Sequence, residues 1–133
     1  MASQKVRVLL SKKNPYYISK FKRLELKYFC LQYPEWKKFL ASIGKRGTTD
    51  EFSDPTGEEA VRRVLYSRNV EAIEAAARIA GADIYEYLLL SVTEDISFPT
   101  LKTKYDIPCG ADLFYNRYHK FWFILSQKEH TFL

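Results

Sequence analysis

A chain of 133 residues, 47% hydrophobic and holding ten Tyr and nine Phe, has material for one packed domain and too little length for a second, enzyme-sized one. Its two cysteines, Cys30 and Cys109, have only His119 and His130 for company, which excludes a disulfide framework and a four-ligand zinc site at ordinary spacing. The net charge of +5 is unevenly held: residues 1–46 carry twelve Lys or Arg against Glu25 and Glu35, residues 47–97 carry −7 and residues 98–133 carry +2. The basic end can attract polyanions and the acidic middle cannot, although a solvated basic face paired internally with the middle accounts for the same numbers.

The first apolar cluster, Val6, Val8, Leu9 and Leu10 around Arg7, is too short for a signal peptide, and no run approaches membrane-spanning length. A cytoplasmic protein without a membrane partner is therefore expected. Asn14 before Pro15 reads as a helix start, and Tyr17, Phe21, Leu24, Tyr28 and Leu31 follow at helical spacing. Lys20, Arg23 and Lys27 fall off that stripe, where they suit phosphate contacts. Pro34 ends this helix and opens the next, on which Trp36, Phe39, Leu40 and Ile43 recur until Gly44 supplies a stop.

Residues 44–53, GKRGTTDEFS, read as a loop. Asp54 and Pro55 then mark a new helix start, with Glu58 and Glu59 favouring its positive end and Glu58–Arg62, Glu59–Arg63 and Glu74–Arg78 spaced as ion pairs. The apolar positions shift phase between Val61, Leu65 and Val70, Ile73, Ala77, Ala80, so a break near residues 67–69 is expected, with Gly81 as the stop. Asp83 and Glu86 have capping-box spacing before a helix with Ile84, Leu88 and Val92 on one side. A short helix over 98–105 with Leu101 and Tyr105 inward, a turn over 106–110, and a last helix over 111–126 with Phe114, Tyr118, Phe121 and Leu125 inward complete an all-α reading.

No Gly-rich phosphate loop, G-x-S-x-G, H-E-x-x-H or Cys/His cluster occurs, so nothing implies catalysis, a metal or a cofactor. Glu71 and Glu74 share a helix face without a further ligand and read as surface charge. Cys109 precedes a helix start, where the dipole can lower a thiol pKa, but no base stands nearby and a small turn residue fits better. His119 beside Tyr118 fits either the surface or a ligand contact.

Residues 83–126 carry the most functional content. A helix, a short helix with inward Leu101, a turn closed by Ile107 and a longer helix rich in Tyr, Asn, Arg and Lys make the pattern of a helix-turn-helix. Asp112, Tyr115, Asn116 and His119 would then face base edges from the recognition helix, while Lys102, Lys104, Arg117 and Lys120 neutralise phosphates. Any three-helix corner also presents some polar face.

The segments DPTGEEAVRR at 54–63, YLLLSVTEDISFPTLKTKYDIP at 87–108 and LFYNRYHKFWFIL at 113–125 resemble the phage late-operon transcriptional regulators of the RinA/ArpU type, from prophages and mobile elements of Gram-positive bacteria. The resemblance covers roughly residues 54–126. It implies a C-terminal helix-turn-helix similar to the fourth region of sigma factors. Here seven positions separate Ile107 from Phe114, against a usual five in that family, with Pro108, Cys109 and Gly110 filling the turn.

The expected organisation is a basic helical hairpin over 1–46, a loop and long central helix over 47–81, and a helix-turn-helix module over 82–133. The expected function is sequence-specific binding of double-stranded DNA in transcription regulation, with RNA polymerase or another host protein as a further partner and a homodimer compatible with two half-sites. The competing expectation is a helical protein-binding module that inhibits or recruits a host factor.

Overall fold

The computed structural model describes residues 10–49 and 57–128, with residues 44–49 described by backbone alone. The described residues form an all-α fold without strands: α1 Lys20–Leu31, α2 Tyr33–Thr49, α3 Gly57–Gly81, a 3-10 turn Ala82–Ile84, α4 Tyr85–Glu94, α5 Phe98–Lys104 and α6 Ala111–Gln127. Long α3 is the axis, packed against α2, α4 and most extensively α6, while α1 closes over α4 and α6.

The helix expected from Asn14 opens instead at Lys20. Asn14 is spent on a local turn, its Oδ1 accepting from the Tyr16 amide at 2.8 Å, and the Ser19 hydroxyl caps α1 by accepting from the Lys22 amide at 3.2 Å. Its buried face is Leu26, Phe29 and Cys30. Phe21 and Tyr28 from the expected stripe are 78% and 61% exposed. Both sets have helical spacing, and docking on α4 and α6 selects between them.

Gln32 alone separates α1 from α2, and α2 runs through Gly44 to Thr49. The helix thus takes in Gly44 and Gly47, each costing about 1 kcal/mol relative to alanine, and the loop expected over 44–53 does not begin at Gly44. Trp36 and Ile43 are buried, and the Trp36 ring meets Phe29 at 5.1 Å and Tyr66 at 5.9 Å. The expected cap Asp54 and Pro55 lie outside the described residues.

The expected break near residues 67–69 does not occur: α3 is one helix of 25 residues. Tyr66, Asn69, Val70, Ile73, Ala77 and Ala80 keep a single helical face, and Asn69, a buried polar residue, hides its continuity from a hydrophobicity count. Val61 and Val64 are exposed, so the earlier apolar phase is not core. The Glu58–Arg62 pair forms at 4.0 Å. Glu74 does not turn to Arg78; it accepts from the Tyr33 hydroxyl and lies 3.7 Å from Lys37, while the Arg78 guanidinium sits 4.9 Å from the Tyr85 ring centre.

Gly81 ends α3 as expected, and it also lets another side chain in. A Cβ there would stand 3.0 Å from Arg117 Cγ. The expected capping box is absent, because no side chain caps α4 and Asp83 is engaged by Arg117. Ile84, Leu88 and Val92 are buried as expected. Buried Ser91 and Thr93 donate their hydroxyls to the Ile96 and Leu89 carbonyls at 2.6 and 2.7 Å, which offsets the cost of burying them. One contiguous core joins Leu26, Phe29 and Trp36 to Ile73, Leu88, Leu101, Ile107, Phe114 and Phe121, so the three expected segments share it.

Candidate nucleic-acid interface

The corner between α5 and α6 is built by local chemistry. The Ser97 hydroxyl caps α5 by accepting from the Thr100 amide, and Pro99 occupies the first turn, where its missing N–H leaves nothing unpaired. Leu101 is fully buried, but Tyr105, expected inward, is 44% exposed. Asp106 takes the left-handed conformation at φ 54°, which Asp tolerates better than most residues. That twist returns Ile107 to the core, where its amide donates to the Leu101 carbonyl at 3.1 Å. Lys102 Nζ clamps the turn, donating to the carbonyls of Ile107 at 3.4 Å and Cys109 at 3.3 Å.

Gly110 leads into α6, whose buried side is Phe114, His119, Phe121, Trp122 and Leu125. Phe98 of α5 spans the corner, its ring 5.3 Å from Phe114 and 6.1 Å from Tyr115. Burial also pushes the Cys109 thiol up from its ordinary range, as suits a turn residue rather than a nucleophile.

The expected base-reading residues are divided by this packing. Asp112 and Asn116 are exposed on the outer side of α6. Tyr115 is half-buried, its ring packed against Phe98, Phe114 and Tyr118, whereas His119, expected to face outward, is buried beside Tyr118.

The expected phosphate contacts are divided as well. Lys20, Lys102 and Lys104 are exposed and Lys120 is half-buried. Lys27 lies 3.5 Å from Asp95. Arg117 pairs with Asp83 at 3.1 Å, and this guanidinium holds the Asp83 carboxyl below its usual range. Arg23 turns inward: it donates to the Tyr118 hydroxyl at 2.8 Å and its guanidinium lies 5.6 and 5.8 Å from the ring centres of Tyr118 and Trp122. Sequence spacing placed Arg23 off an apolar stripe that the fold does not use, and so misses this contact.

No group of three or more His, Cys, Asp or Glu able to hold a metal occurs among the described residues, and no helix there is long and apolar enough to cross a membrane. Neither a family model, nor a curated protein, nor a solved structure matches the chain.

Proposed function

We propose that this protein binds double-stranded DNA through the outer face of the α5–α6 corner, as a sequence-specific transcription regulator of a phage or mobile element acting in the cytoplasm. The observation that carries this reading is the outward first turns of α6. Asp112 and Asn116 are exposed there, with Lys102 and Lys104 exposed on α5. Phe114, Phe121 and Leu125 bury the opposite side of the helix. A reading helix needs such a rigid mount with polar tips toward the groove and cations at its edges. The resemblance of residues 54–126 to RinA/ArpU-type regulators supports the same reading. Of the four expected readers, Asn116 is the one best suited to a base edge, since an amide can pair bidentately with adenine.

The test is selection from a random duplex pool at moderate salt, followed by affinity against salt on the selected and scrambled sites. The expected outcome is an enriched motif and a negative slope of log affinity against log salt, of about 0.9 per phosphate contacted. The exposed aromatic pair Phe21 and Tyr28 on α1 favours a second reading, a module that docks on a host protein. Failure to enrich any motif makes that reading the better account.

A further inference from the structure

Between residues 10–18 and α6 lies a cavity of about 380 Å³, within the range of small-molecule sites. Tyr16, Tyr17, Ile18 and Trp122 give it an apolar body. Its charged lining among the described residues is Lys12, Lys20 and Arg23, with no carboxylate among them. Arg23 is the unusual member. The half-buried guanidinium has five N–H donors, yet one hydrogen bond to the Tyr118 hydroxyl is its only bonded polar contact among the described residues, where no acid pairs with it. Its Nε and the Trp122 Nε1 are both buried without a hydrogen-bond partner. A partly desolvated cation without a counter-ion is costly, and an anion entering the cavity offsets that cost.

We propose that this cavity binds a small organic anion, with an aromatic or aliphatic body among Tyr16, Tyr17, Ile18 and Trp122 and a carboxylate paired with Arg23. The carboxylate supplies the negative charge that the described lining of Lys12, Lys20 and Arg23 lacks, and the guanidinium fork matches its two oxygens. The site is separate from the outer face of the α5–α6 corner, and its occupancy does not require DNA.

The full chain labelled with nitrogen-15 tests this without DNA, because its two tryptophans give two indole N–H signals. Trp122 lines the cavity, while Trp36 packs on Phe29 and Tyr66 elsewhere and serves as control. Titration with 2-naphthoate is expected to move the Trp122 signal saturably and leave Trp36 in place. The neutral 2-naphthamide is expected to bind at least about tenfold more weakly, as is naphthoate to Arg23→Gln, the factor lost with a charge-assisted hydrogen bond. The comparison of acid with amide on the unaltered protein stands even where the Arg23 variant fails to fold. Equal affinity for acid and amide, a Trp122 signal unmoved at millimolar naphthoate, or non-saturating movement of both indoles overturns the proposal.

Discussion

Phe114 and Asn116 stand two residues apart on α6 and separate stability from recognition. Phe114 is 1% exposed, and its truncation to Ala leaves a cavity that is expected to cost about 3–5 kcal/mol in chemical denaturation. Asn116 is exposed and its Oδ1 accepts from Arg117 Nη1 at 2.8 Å, so Asn116→Ala is expected to fold with nearly unchanged stability. On a selected site it should lose about 1–3 kcal/mol of discrimination at one base position, read by competition among single-base variants. Unaltered preference would remove Asn116 from the reading surface. Asp83 gives a pH-dependent prediction at the same scale. Arg117 lowers its folded pKa below the unfolded value near 3.8, so the pair stabilises the fold above the ordinary aspartate range and is lost as pH falls through the folded pKa. The Asp83 side chain is 48% exposed, and solvent screening holds the contribution under about 1 kcal/mol. Stability measured against acid pH should therefore fall less steeply in Asp83→Asn than in the parent.

At the scale of elements, α3 carries an internal cost. Asn69 is buried at its middle with an Oδ1 that has no hydrogen-bond partner, on the face that also presents Val70 and Ile73 to the core. An unsatisfied buried polar group costs about 1–3 kcal/mol, and leucine keeps the same branching at Cγ with two methyls in place of the amide oxygen and nitrogen. Asn69→Leu is expected to raise the unfolding free energy by about 1 kcal/mol or more, with helical content unchanged. A fall in stability would mean that the Asn69 amide contributes more to the fold than its desolvation costs. The short α5 is stabilised differently: seven residues are too few to be stable alone, and the Ser97 cap, the buried Leu101 and the Lys102 clamp on the turn hold it in place.

For the whole molecule, the two free thiols report on the shared core. Cys30 is fully buried with its pKa pushed up by desolvation, whereas Cys109 is half-buried at the corner. A thiol reagent is expected to modify Cys109 in the native state and Cys30 only through openings that expose the core, at a rate following global stability across a denaturant series. Fast labelling of both would show that α1 opens independently. The sequence by itself determined the all-α class, the inward Leu88, Leu101, Ile107, Phe114, Phe121 and Leu125, and the stop at Gly81, because periodicity and terminators are local properties of the chain. It also marked Asp112 and Asn116 of α6, which are exposed, since both lie off the strongest apolar stripe. Only tertiary structure decided which of two apolar faces α1 buries and that α3 continues through Asn69. It also turned Arg23 and His119 inward and gave Asp83 to Arg117 rather than to a helix cap. Each of those outcomes rests on contacts between residues distant in sequence, where burial against a particular neighbour outweighs the roughly 1 kcal/mol preferences that local pattern encodes.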